Sequence, residues 1–141
     1  MVPESKPITL NRFQRTREDH SREMAEDYVE LIDSLIKEVG EARAVDLADN
    51  LGISHVTVSK TIQRLQRDGY VKSQPYRSIF LTDKGMELAQ AARERHVLVH
   101  DFLIALGVDE EHAEADAEGI EHHVSSQTLA AMQRYLAAKR S

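Results

Sequence analysis

Cysteine and tryptophan are both absent from the 141 residues. Without thiols the chain has no disulfides, no thiolate nucleophile and no sulfur-bound zinc finger, so any metal must be held by oxygen and nitrogen. No apolar run approaches the ~18 residues needed to enter a bilayer, and the N-terminal residues have no apolar stretch of the signal-peptide kind. A cytoplasmic protein without a membrane partner is the expectation. Also missing are a glycine-rich phosphate loop, an internal repeat and any low-complexity tract, and nothing calls for a small organic ligand. What remains is a soluble globular composition, 41% hydrophobic and 30% charged, long enough for one domain or two small ones with a real core.

Charge is distributed unevenly. The net charge is −6, yet residues 54–81 carry Lys60, Arg64, Arg67, Lys72 and Arg77 against Asp68 alone, a local +4 that leaves −10 for the rest. A basic segment in an acidic chain is the pattern of a DNA-binding module attached to something else. At the other extreme, residues 107–123 contain Asp109, Glu110, Glu111, Glu114, Asp116, Glu118 and Glu121 with no Lys or Arg. Such a run either faces solvent or holds a cation. Within it, Glu118, Glu121 and His122 would stand at i, i+3 and i+4 of a helix, two carboxylates and an imidazole on one face at metal-ligand spacing.

In chain order, residues 1–20 show mixed charge and no apolar periodicity, which predicts a mobile arm whose Arg12, Arg15 and Arg17 could touch phosphate. From Ser21 to Val39, Met24, Tyr28, Leu31, Ile32, Leu35, Ile36 and Val39 recur at helical spacing and Gly40 stops the helix. On that helix Asp27 and Glu30 lie three apart, a second pair of carboxylates that one cation could share. A short helix over Glu41–Gly52, a turn at Gly52 and a Ser54-capped helix with Val58, Ile62 and Leu65 inward read as a helix-turn-helix. The segments Gly69–Ser73 and Ser78–Thr82 around Gln74-Pro-Tyr-Arg read as the two strands of a wing. By position, Ser54, Val56, Thr57 and Lys60 are candidates for base edges, and Arg64, Lys72 and Arg77 for phosphate. Asp83 opens a long helix to Gly107, Asp109 starts another, and Ser125 caps a last one. These helices are too few to cover their own apolar residues, so a homodimer is expected. The predicted architecture is mainly α with a small β wing: a winged helix-turn-helix domain over residues 21–85 and a helical metal-binding and dimerisation domain over residues 86–141.

Taken together, Glu26-Asp-Tyr-Val-Glu-Leu-Ile in the first helix, Val58-Ser-Lys in the recognition helix, Arg95-His96 in the long helix and Glu118-Gly-Ile-Glu-His-His resemble the diphtheria-toxin-repressor family, on its manganese-responsive branch. The resemblance covers about residues 26–136. It implies a metal-activated regulator, chiefly a repressor of manganese-uptake genes, that binds a palindromic double-stranded DNA operator. It further implies two Mn²⁺ per subunit held by Asp27, Glu30, His96, Glu118, Glu121 and His122, with Glu30 and Glu121 resembling bridging carboxylates. Iron-sensing relatives carry a sulfur ligand, Cys or Met, in this set and often continue into a further small β domain. Both differences favour manganese over iron, though another divalent ion of the same family's repertoire is an alternative. Val56 stands where many relatives carry Pro or Ser. His55, His100, His112 and His123 coincide with none of the implied ligands.

Two other classes compete. A di-metal carboxylate enzyme needs Glu-x-x-His on each of two helices, and none of the seven histidines has a Glu three residues before it. The sequence therefore speaks against an enzyme. A winged-helix regulator that ignores metal would have the same basic segment but no use for a Glu-His pair inside an acidic run.

Overall fold

The computed structural model describes residues 8–74 and 77–140. Helix α1 runs from Ile8 to Val39, so the chain is helical well before Ser21, where the apolar pattern begins. Neither Pro nor Gly occurs between Ile8 and Val39, and a helix nucleated by packing extends at little cost through Arg, Gln, Leu and Glu. Arg17, Glu18 and His20 remain exposed on this first part of the helix. Helix α1 thus takes in part of the segment expected as a mobile arm, while Met1–Pro7 and the side chains of Arg12 and Arg15 fall outside the described residues.

Helix α2 spans Ala44–Leu51 and α3 His55–Arg67. The α2 start lies three residues beyond Glu41 because Arg43 is extended (φ −121°, ψ 158°) and its N–H donates to the Asp46 carboxylate at 3.1 Å. Gly52 then adopts φ +66° and returns its N–H to the Ala48 carbonyl, a left-handed cap that glycine takes without steric cost. Ser54 caps α3 by accepting from the Thr57 N–H at 3.2 Å. Strands β1 (Val71–Lys72) and β2 (Phe80–Leu81) pair antiparallel, Val71 with Leu81 and Lys72 with Phe80. Pro75 and Tyr76, at the tip between them, lie outside the described residues.

One face of α1 holds these pieces together. Tyr28 and Ile32 of α1 join Leu47, Val58, Ile62, Leu65, Val71 and Ile79 in a single buried cluster. Its other face meets α4 (Asp83–Ala105), against which α5 (Glu110–Ile120) and α6 (Ser126–Arg140) also pack. Small side chains allow this close approach: Ala89, Ala92, Ala113 and Ala117 are all buried. Gly85, in the first turn of α4, lies so near the wing that a Cβ there would come within 2.1 Å of the Tyr70 carbonyl oxygen. Helix α1 is thus shared by the winged-helix half and the C-terminal helices, with Arg93 of α4 also bonded to Asp33 of α1.

Candidate metal centre and nucleic-acid interface

The acidic helix ends sooner than its spacing suggests. α5 stops at Ile120, and Glu121 caps it with helical backbone angles (φ −56°, ψ −30°), so Glu118 and Glu121 keep their i, i+3 relation. His122 falls in the turn that follows. That turn carries its ring back to α1, where Nε2 lies 3.2 Å from Asp27 and 3.4 Å from Glu121 Oε1. Arg22 of α1 fixes the same turn by donating to the His122 carbonyl at 3.1 Å.

Two ligand clusters share this place. In one, Glu23, Asp27 and His122 bring donor atoms within 4.8 Å of one another; in the other, His96, Glu118 and Glu121 do the same. Glu121 joins them, because its Oε2 lies 3.0 Å from His96 Nδ1 while its Oε1 faces His122. Glu121 is 1% exposed and His122 3%. Glu30 Oε1, His96 Nδ1 and both Glu121 oxygens are buried with no hydrogen-bond partner among the described residues. His96 Nδ1 and Glu121 Oε2 are close enough to bond but not aligned for it, so both groups direct acceptor capacity into one space, which the exposed Asp27 and Glu118 border on its outer side. Buried carboxylate oxygens left this way are costly unless a cation meets them. The donor set of carboxylate oxygens and imidazole nitrogens fits a hard or borderline divalent ion.

The electrostatics agree. Burial pushes the Glu30 carboxyl above its ordinary range, and the neighbouring Glu118 and Asp27 push it further. Glu121 is raised to about 7 by burial and then by Glu30, with His96 and His122 acting the other way. For His122, burial opposes the charged form, but the bonds to Asp27 and Glu26 prevail and raise it to about 10. Without a cation this centre keeps protons that a cation would displace.

Sequence spacing missed two residues at this centre, one in a cluster and one beside it. Glu23 lies one turn before Asp27 and also meets His123 at 3.2 Å; being i−4 from Asp27 was its only signal. Glu26 is fully buried, with His122 Nδ1 at 2.5 Å and Arg95 Nη2 at 2.6 Å. Its position four residues before Glu30 could have marked it. A third and more exposed cluster joins His100, Glu110 and Glu114, with His100 Nε2 2.9 Å from Glu110 and Glu114 also bonded to His96 at 2.9 Å.

On the opposite side of α1, the recognition helix leaves Val56, Thr57, Ser59, Lys60, Gln63 and Arg67 exposed, and the wing exposes Lys72 and Arg77. Ser54 and Thr57 are exposed but already bonded to each other at 2.9 Å as the cap. Arg64, also expected to meet phosphate, is half-buried, and its guanidinium lies 3.6 Å from Met24 Sδ of α1. The buried positions Val58, Thr61, Ile62 and Leu65 set the inward face, and position 64 lies at its edge, where a long side chain covers α1. Gln63 and Ser59 instead share with Arg77 and Gln74 a groove of about 650 Å³ between α3 and the wing.

A two-stranded wing after a capped helix-turn-helix, joined through one helix to a buried carboxylate–imidazole centre, defines a metal-responsive DNA-binding regulator. Two family models match: iron dependent repressor, N-terminal DNA binding domain, over residues 21–79, and iron dependent repressor, metal binding and dimerisation domain, over residues 82–140. The chain belongs to the iron dependent repressor family, and is a homodimeric transcriptional regulator rather than an enzyme. It is 53% identical over 123 residues to the transcriptional regulator MntR of Escherichia coli O6:H1, covering 87% of this chain and 79% of that protein. Against the transcriptional regulator MntR of Salmonella typhimurium it is 55% identical over 117 residues, 83% of this chain and 74% of the other. Among solved structures, a manganese-dependent transcriptional repressor in complex with manganese superposes with a TM-score of 0.71 at 30% identity, over 80% of this chain. The match spans about half of that repressor, 52% of its length. No described helix is long and apolar enough to cross a membrane.

Proposed function

We propose that this chain is a manganese-activated regulator, chiefly a repressor of manganese-uptake genes, acting in the cytoplasm as a homodimer on a palindromic operator. One observation carries the reading: α1 delivers Asp27 and Glu30 to the half-buried centre while its opposite face is the core of the winged helix. Asp27 and His122 would hold one Mn²⁺, His96 and Glu118 a second, with Glu121 and Glu30 shared between them. Bound Mn²⁺ supplies the positive charge that cancels repulsion among these carboxylates. Asp27 and Glu30 move with α1 and the recognition helix, whereas His96, Glu118 and Glu121 move with the C-terminal helices, so joining them restricts how far apart the two recognition helices of a dimer stand. Successive major-groove half-sites require about 34 Å, and a dimer that samples other spacings binds with only its competent fraction. Val56, Thr57 and Lys60 are proposed to meet base edges, and Lys72 and Arg77 phosphates.

Mn²⁺ has the lowest intrinsic affinity of its series, so preference must come from ligand number and geometry rather than softness. The test is operator binding by the chelated protein refilled with Mn²⁺, Fe²⁺ or Zn²⁺, alongside calorimetric titration. Tight operator binding only after refilling, strongest with Mn²⁺ and at two ions per subunit, is expected. Equal binding with and without metal would refute activation, and a single ion per subunit would refute the paired site.

A further inference from the structure

Glu26 belongs to none of the ligand clusters, yet it is a buried carboxylate bonded directly to a histidine of one of them. It is 1% exposed, and its two oxygens face separate partners: Oε2 is bonded to His122 Nδ1 at 2.5 Å, and Oε1 forms an ion pair with Arg95 Nη2 at 2.6 Å that is not aligned as a hydrogen bond. Three elements therefore converge on one side chain, α1 through Glu26, α4 through Arg95 and the turn after α5 through His122. Glu26 also directly precedes Asp27, and Arg95 directly precedes His96.

The consequence lies in the imidazole. With Nδ1–H donated to Glu26, the nitrogen left facing Asp27 and Glu121 is Nε2. Turning the ring over would place Cδ2–H against a buried carboxylate oxygen and Cε1–H toward the other carboxylates, losing contacts on both sides. We propose that Glu26 is the positioning residue that orients His122 so that Nε2 faces the metal space, and that Arg95 anchors Glu26 in that role. Gln cannot replace it: its single amide oxygen can serve His122 or Arg95, and in either case its NH₂ group then confronts a second donor. The inference rests on the site reading given under Proposed function and assigns a task there to a residue that is not itself a ligand.

The test compares the full-length protein with Glu26→Gln and Arg95→Gln, using Mn²⁺ titration calorimetry, thermal melting, and nitrogen-15 NMR of the imidazoles in the metal-free form. In the wild type, His122 should show an Nδ1–H proton protected from exchange. Glu26→Gln should lose that protection and bind Mn²⁺ ~10–100-fold more weakly, the range for loss of a partner that orients a ligating histidine. Arg95→Gln should lower affinity in the same direction by less, because Glu26 can still accept from His122. Should Glu26→Gln fail to fold, Glu26→Met with Arg95→Met removes acceptor and donor together while keeping volume, and the same loss of affinity is expected. A wild type that binds no Mn²⁺ removes the site reading and this proposal with it. A folded Glu26 variant that melts lower but binds Mn²⁺ like the wild type removes the proposal alone.

Discussion

The two working regions of this molecule treat polar groups in opposite ways. On the recognition helix and wing, Lys60, Gln63, Lys72 and Arg77 point into solvent from a core of Val58, Ile62 and Leu65 that would be stable without them. At the centre between α1, α4 and α5, Glu30 and Glu121 bury oxygens that have no described partner. An exposed cation gives up little when it waits for a phosphate, whereas a buried carboxylate without a counter-charge opposes folding until one arrives. The first region is therefore ready before its ligand, and the second is completed by its ligand. On the proposed reading, that difference lets metal at one place govern DNA binding at the other.

The largest effect that would break this contrast comes from Glu121→Gln. The variant should bind Mn²⁺ more weakly by over the ~10–100-fold expected for an outer partner, and it should melt higher than the wild type when both are chelated, because burial and repulsion from Glu30 no longer act on a charge. The pH dependence has a definite sign. Glu121 has a raised folded value near 7, so between its ordinary range and that value the folded form holds the extra proton, and stability of the chelated wild type falls as pH rises through this window. His122, raised to about 10, contributes stability that is present below its ordinary value and is lost as pH rises toward 10. Melting curves from pH 5 to 8 should show the decline in the wild type and a shallower one in Glu121→Gln. An unchanged slope would mean that Glu121 is not the strained group.

Gly85→Ala attacks the joint between the regions instead. The added methyl meets the Tyr70 carbonyl, so α4 must move away from the wing, at a cost of about 1–3 kcal/mol or more. Denaturant melts measure this, and weaker Mn²⁺-dependent operator binding should accompany it with little change in Mn²⁺ affinity.

Within the DNA-binding region the expected effects are smaller and differ in kind. Lys60→Ala should relax preference at one base position by ~1–3 kcal/mol. Arg77→Ala should weaken all sequences alike and reduce the salt slope by ~0.9. Arg64→Ala should leave the salt slope unchanged, since Arg64 turns to Met24; a slope reduced as for Arg77 would return it to the phosphate set. Binding measured across a salt series, on operator and random DNA, separates the three.

The smallest effect concerns Asp33, whose carboxyl stays below its ordinary range although burial opposes this, because Arg93 and Lys37 donate to it. A lowered value contributes stability above the unfolded value that is lost as pH falls through the folded one. Asp33→Asn should cost about 0.2–1 kcal/mol near neutrality, and its difference from wild type should vanish in acid.

Local chemistry determined much of this molecule. Periodicity and caps at Ser54, Asp109 and Ser125 mark their helices, Gly52 marks the turn and the basic residues mark the DNA-binding segment, because each signal acts within a few residues. The start of α1 at Ile8 escaped the same reading, since helix propensity without an apolar face leaves no period to detect. Spacing set Glu118 against Glu121, but His122 leaves the helix and meets Asp27, ninety-five positions away, only through the turn after α5. Glu26 and Arg64 show the limit: spacing did not single out Glu26, which is buried between Arg95 and His122, and it could not show that Arg64, expected to meet phosphate, lies half-buried beside Met24 of α1. Chain position determines which face a side chain leaves from; what stands on the far side of that face is decided when α1, α4 and α5 pack, because their partners come from distant stretches of the chain.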